Sequence, residues 1–258
     1  MIELIDTHIH LYDSQFDSDL TDVVAEAKRS GVAGVILPSI DSTTYLAQST
    51  LCESLGGYAW EAAGVHPTSV ADNWRDELNF VLSVVDKRDY VAIGEVGIDC
   101  YWSQKHLKEQ IFVFEEQLKL ASDKNLPVII HSRDSMEVII DSLKKLKHLN
   151  LRGVFHAYSG SYESYKEIIK LGEFKIGVGG VVTFKNSRLA DLTKRIPLNN
   201  ILLETDAPWL TPAPFRGERN KPSYLKIIAE KIAELKGCSV EEVAQITTYE
   251  AKMVFRLN

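Results

Sequence analysis

Short runs of β-branched and other apolar residues recur along the chain, most of them apolar at consecutive positions rather than at alternate ones. Strands buried on both faces of a parallel sheet need such continuous runs, whereas a strand with one wet face alternates. The runs stand at Ile2–Asp6, Gly34–Pro38, Ala59–His66, Tyr90–Glu95, Pro127–His131, Arg152–His156, Phe174–Gly179 and Asn200–Asp206. Between them the spacing becomes helical. Leu107, Ile111, Phe114, Leu118 and Ala121 step by three or four along Leu107–Lys124, one apolar stripe on a polar surface. Ile227, Ile228, Ile232 and Leu235 do the same in Lys226–Lys236. Gly237 is placed to end that helix, and Ser239 with Glu242 three residues on forms a capping box that starts another. Strands alternating with helices, with no Gly/Ser-rich linker, low-complexity segment or short repeat, predict the α/β class. They fit a single (β/α)8 TIM barrel spanning 1–258 better than a doubly wound sheet. The long irregular connection Ala207–Pro222, rich in Pro, Gly, Arg and Asn, reads as a binding loop.

The chain's 258 residues suit one barrel, and 45% apolar with 25% charged residues excludes disordered and fibrous classes. Its three cysteines, Cys52, Cys100 and Cys238, lie far apart and form neither a disulfide framework nor a CxxC pair, as in a reducing compartment. The opening MIELIDTHIH has no basic leader, and no run approaches a membrane span. The expectation is a cytoplasmic protein with no membrane partner and no evident obligate protein partner. The net charge of −7 argues against coating nucleic acid by bulk charge. An enzyme can still meet phosphates with bound cations and a few local Arg and Lys residues, so charge leaves the substrate open.

Chemistry gathers at the C-terminal ends of the apolar runs. The first ends in Asp6-Thr7-His8-Ile9-His10, and side chains two apart in an extended chain share a face, so His8 and His10 make half of a metal site. One isolated HxH is equally well explained by core or solvated histidines. However, the fourth run ends in Glu95 among glycines, the fifth in His131-Ser132-Arg133-Asp134, the sixth in His156, and the eighth in Glu204-Thr205-Asp206. With His66 ending the third, five of the seven histidines fall at strand ends, where barrel active sites form. His106 and His148 lie in helical surface stretches and read as solvated. Imidazoles and carboxylates together suit two divalent ions such as Mg, Mn, Zn, Co or Fe. No nucleophile elbow is present and Cys100 has no evident partner, so hydrolysis by a metal-activated water is the favoured reaction class.

The segments DTHIH (6–10), GVHP (64–67), GEVGID (94–99), HSRD (131–134), FHAYSG (155–160), LETDAPWL (203–210) and PFRGERNKPSYL (214–225) resemble, in order, those of the TatD-type metal-dependent deoxyribonucleases. HxH alone is shared with the wider amidohydrolase group; the ETDxPxL and RGxRNxP segments are narrower. Ala157, Tyr158 and Thr68 depart from the family's more common Cys, Phe and His, and none of these departures removes a ligand. The resemblance implies that His8, His10 and Asp206 hold one ion, that His131 and His156 hold a second, and that Glu95 bridges them. It implies hydrolysis of DNA phosphodiesters, often 3′-to-5′ on single strands, with Asp206 orienting or deprotonating the attacking water and Glu95 the other catalytic carboxylate.

Around these ligands, His66 is expected to donate to a phosphate oxygen, Arg133 and Arg216 to clamp neighbouring phosphates, and Tyr158 to contact a base. Tyr101 and Trp102 are weaker stacking candidates. Glu204 and Asp99 are expected to orient the ligands. An alternative uses the same site on a small cyclic amide, lactone or ester, or on a D-aminoacyl-tRNA ester. The Arg-rich 214–225 segment favours a phosphate-bearing substrate over these. A purely structural metal site would more often be closed and Cys-rich.

Overall fold

The computed structural model describes residues 2–257. Its strands are β1 (Leu4–Asp6), β2 (Val32–Pro38), β3 (Ala59–Ala63), β4 (Ala92–Asp99), β5 (Val128–Arg133), β6 (Arg152–Phe155), β7 (Glu173–Val178) and β8 (Ile201–Leu203). The helices are α1 (Leu20–Arg29), α2 (Tyr45–Leu55), α3 (Trp74–Val84), α4 (Leu107–Lys124), α5 (Met136–Lys145), α6 (Tyr162–Ile168), α7 (Arg188–Arg195), α8 (Leu225–Lys236) and α9 (Val240–Phe255). The strands hydrogen-bond side by side in chain order, with parallel registers at β1–β2, β3–β4, β4–β5, β5–β6 and β7–β8. Beyond β1, Thr7 N–H donates to Leu203 O of β8 at 3.0 Å. A parallel sheet in chain order whose last strand returns to its first, with helical crossovers, is a (β/α)8 barrel.

Contacts group the chain into two compact units. Among the described residues, one comprises 2–37, 50–60 and 176–257. Its core includes Leu4, Ile36, Leu202, Ile228, Ile232 and Phe255, all essentially inaccessible. Of the α8 stripe predicted from spacing, Ile228 and Ile232 are buried while Ile227 and Leu235 are half-buried, and Leu225, Ala229 and Ala233 complete the buried face. Gly237 ends that helix in the left-handed region at φ 66°, and Ser239 Oγ accepts from Glu242 N–H at 3.1 Å to start α9.

The other unit comprises Pro38–Ser49 and Glu61–Lys175, with Ile93, Val96, Ile98, Phe114, Leu118, Ile129 and Phe155 in its core. On α4 the buried face is shifted from the predicted stripe. Phe114, Leu118 and Ala121 are buried, but Ile111 is only half-buried, while Gln110 and Gln117 point inward. Those glutamines substitute for strand pairing. Gln117 Oε1 accepts from Val65 N–H at 2.7 Å and its Nε2 donates to Val65 O at 3.3 Å. Seven residues earlier, two turns along the same face, Gln110 Oε1 accepts from Asp99 N–H at 2.9 Å. One helix face thereby fixes the backbone beside two strand ends.

β3 stops at Ala63, short of the predicted His66, and β4 runs on to Asp99, past the predicted Glu95. The β4–β5 register shifts between Ile93 and Val96, a bulge of the kind that re-aims one side chain; here it carries Glu95. Gly97 follows at φ 150°, where a Cβ would stand 2.0 Å from His131 O. Only glycine permits that approach.

Candidate metal centre

In the first unit the ends of β1 and β8 are stitched together beyond the strands themselves. Asp206 N–H donates to His8 O at 2.9 Å and His10 N–H to Ala207 O at 2.9 Å, continuing the ladder begun at Thr7. The Asp6 carboxylate accepts from Thr205 N–H at 2.9 Å, from Thr205 Oγ1 at 2.6 Å and from His8 N–H at 3.3 Å. Burial pushes the Asp6 pKa up to about 7 and nearby Glu204 adds to the rise, against the lowering effect of those hydrogen bonds. Asn220, fully buried, donates through Nδ2 to Thr205 O at 2.8 Å and Trp209 O at 2.6 Å. The turn carrying Asp206, itself left-handed at φ 55°, is thus held on both sides.

This scaffold brings three predicted ligands together. His8 Nε2 and His10 Nε2 lie 3.1 Å apart, and Asp206 Oδ1 is 3.7 Å from each. Donors that sit about 2 Å from one ion must keep separations of this size, so the donor set fits a divalent metal. Tyr12 OH lies 2.7 Å from His10 Nδ1, the outer contact that orients a ligating imidazole. Glu204, two residues before Asp206, is inaccessible, with its carboxylate in the space left by Gly177, where a Cβ would meet Oε2 at 2.2 Å.

The second unit gathers the rest. His131 Nδ1 lies 2.8 Å from Glu95 Oε1, and His66 Nε2 and His156 Nε2 lie 3.4 and 3.5 Å from the same oxygen. His131 Nε2 is 3.0 Å from Asp99 Oδ2. Burial opposes a charge on His131, but the hydrogen bonds to Asp99 and Glu95 outweigh it and hold the pKa up at about 9. His66, Glu95 and His131 are grouped closely enough to hold a metal ion. His66, expected only to touch substrate, is therefore as near to Glu95 as His156 is. Thr68 N–H donates to His66 Nδ1 at 3.2 Å, which in the neutral ring leaves the proton on Nε2.

Of the predicted substrate residues, Arg133 and Arg216 are exposed, with guanidinium carbons 3.8 Å over Tyr101 and 4.2 Å over Phe184. Tyr158 departs from expectation. It is 2% exposed, its hydroxyl donates to Ser161 O at 2.8 Å and its ring packs edge-on against Phe155, so its faces are closed to a base. Arg219 is tied to Asp19 at 2.6 and 2.9 Å. His106, just before α4 rather than within it and only part-exposed, lies 3.3 Å from Asp72.

The family model for TatD related DNase matches residues 5–256. The chain belongs to the TatD-related DNase family. The metal-dependent hydrolase YabD of Bacillus subtilis, itself uncharacterized, is 40% identical over 256 residues, covering 99% of this chain and 100% of YabD. The 3′-5′ ssDNA/RNA exonuclease TatD of Pantoea ananatis is 30% identical over 260 residues, covering 98% of this chain and 100% of that protein. Among solved structures, the TatD homologue YJJV from Escherichia coli K12 superposes with a TM-score of 0.91 at 29% identity, covering 99% of this chain and 98% of that one. As a TatD-family member the chain is a metal-dependent hydrolase, and its His and carboxylate groups are suited to metal. Among the described residues no helix is long and apolar enough to cross a membrane.

Proposed function

We propose that this TatD-family hydrolase cleaves phosphodiester bonds of single-stranded DNA from the 3′ end, using two divalent ions. His8, His10 and Asp206 hold one; Glu95, His131 and His156 hold the other. The observation that carries the reading is the convergence of His8 Nε2, His10 Nε2 and Asp206 Oδ1 at 3.1 and 3.7 Å, a donor set without thiolates, as in catalytic rather than closed structural sites. Relatives named as 3′-5′ ssDNA/RNA exonucleases support the substrate class.

Bound divalent ions supply Lewis acidity, lowering the pKa of water and neutralising phosphate charge. The chain's own residues do the rest. Asp206, with its carboxylate on the His8 and His10 side, orients water and accepts its proton. His66, protonated on Nε2, donates a hydrogen bond to a phosphate oxygen. Asp99 and Tyr12 fix the rings of His131 and His10. Arg133 and Arg216 meet flanking phosphates through planar donor forks, which matters in a chain of net charge −7. The reaction takes place in a cytoplasmic setting and calls for no protein partner.

The test is hydrolysis of end-labelled single-stranded oligonucleotide by metal-stripped protein, with Mg2+, Mn2+, Zn2+ or Co2+ restored singly. A ladder shortening from the 3′ end, abolished in Asp206→Ala, is expected. Cleavage that persists in Asp206→Ala at the wild-type rate sinks the site assignment. Turnover of small esters or amides with no nucleotide cleavage under any metal sinks the substrate.

A further inference from the structure

Two large exposed aromatic side chains stand side by side directly after β4: Tyr101 is 54% exposed and Trp102 68%. Their segment is anchored. Asp99 Oδ1 accepts from Tyr101 N–H at 2.9 Å and from Trp102 N–H at 3.2 Å, while Asp99 Oδ2 lies 3.0 Å from His131 Nε2. One buried carboxylate therefore ties the aromatic pair to an imidazole of the metal cluster. At the far end of the segment Lys105 and His106 each sit 3.3 Å from Asp72.

The two rings meet edge to face, with centroids 5.0 Å apart at 84°. The Arg133 guanidinium covers Tyr101 at 3.8 Å and lies 5.3 Å from the Trp102 ring. Arg133 is two residues beyond His131 on β5, on the same strand face. A guanidinium stacked on a ring keeps its in-plane N–H donors free for an anion. The surface thus offers two exposed rings, one face of Tyr101 taken by the Arg133 cation, one side chain removed from His131. A nucleotide carries the matching pair, an aromatic base and a phosphate; a small lactone or cyclic amide carries neither.

We propose that Tyr101 and Trp102 form a stacking platform for the base of a nucleotide flanking the scissile bond, with Arg133 on its phosphate. The proposal deepens the nuclease reading above and rests on it. Stacking uses only the face of a base, which every base possesses and which a duplex keeps covered. The platform therefore selects single strands and tolerates any sequence. Asp99 is its positioning residue.

The test uses metal-loaded protein, an end-labelled single-stranded oligonucleotide, and copies of it carrying one abasic site at successive positions. Tyr101→Ala and Trp102→Ala are each expected to raise KM on the intact strand about tenfold. Trp102→Phe restores most of the loss and Trp102→Leu does not. One abasic position reproduces the loss in wild-type protein, and on that strand Trp102→Ala adds less than about twofold, because the same contact is already gone. A wild-type KM in the alanine variants, or an undiminished tenfold rise on every abasic strand, overturns the platform and leaves the nuclease reading standing. Wild-type protein that neither binds nor cuts the intact strand with any metal overturns both.

Discussion

Asn220→Asp is the sharpest probe of what holds the turn that carries Asp206. Asn220 is inaccessible to solvent, and one amide nitrogen donates to both Thr205 O at 2.8 Å and Trp209 O at 2.6 Å. Its Oδ1 accepts from Lys221 N–H at 2.9 Å. The aspartate has the same size, so no cavity opens for water, but both donors are lost and an oxygen faces two carbonyls. Each buried carbonyl left without its donor costs about 1–3 kcal/mol, so the pair costs about 4 kcal/mol. In a chain of this length that lowers Tm by about 8–16 °C. Burial and the two carbonyl dipoles both disfavour the charge, so the new carboxyl has a raised pKa in the folded state. The deficit is therefore smallest below about pH 4, where the group is protonated in both states, and grows as pH rises through the folded value. Calorimetric melting at several pH values measures this, and metal titration should show affinity down about tenfold as the Asp206 turn loosens. A melt within about 2 °C of wild type, with unchanged metal affinity, would falsify the clamp.

Other substitutions test separate links. Tyr12→Phe removes the contact 2.7 Å from His10 Nδ1; metal affinity should fall about tenfold with little change in apoprotein Tm, as titration calorimetry would read. The Asp41 carboxyl is half-buried, which alone would raise its pKa, but the Thr43 and Ser69 hydroxyls and backbone amides hold it below 3.8. Its contribution is present above about pH 4 and lost as pH falls through the lower folded value, so Asp41→Asn should flatten the acid limb of urea-denaturation midpoints. Arg219→Ala breaks the pair with Asp19 and should lower the urea midpoint only slightly; a large rise in KM for oligonucleotide instead would assign Arg219 to substrate binding.

Continuous apolar runs make the strands legible, since burial on both faces leaves a signal that needs no partner to interpret. Strand ends are less so. The glycines around Glu95 serve a bulge and the close approach of Gly97 to His131 O, both set by a neighbouring strand. The candidate ligands stand out because imidazoles and carboxylates recur at those ends. The support does not: Gln110 and Gln117 look like polar interruptions of a helix until the backbones they hold are seen. The Arg-rich loop misleads for the same reason. Lys221 meets Glu26 at 2.7 Å and Arg219 meets Asp19, partners nearly the whole chain away. Tyr158 looks like a surface aromatic after a strand, and only packing against Phe155 reveals it as core.

The stitching of β1 to β8 also sets a schedule for the molecule's making. Asp6 and Thr205 are separated by 199 positions, so joining them carries a loop-closure cost of about 5 kcal/mol beyond a fixed constant. On the ribosome the gap is a wait of roughly 10–40 s. Through that interval His8 and His10 have been synthesised while their carboxylate partner has not, and the first strand lacks the neighbour that will cover one of its edges. The set of His8, His10 and Asp206 is therefore complete only once Asp206 has been made. The same delay makes the early strands the stretch of this chain most in need of shelter while it is being built.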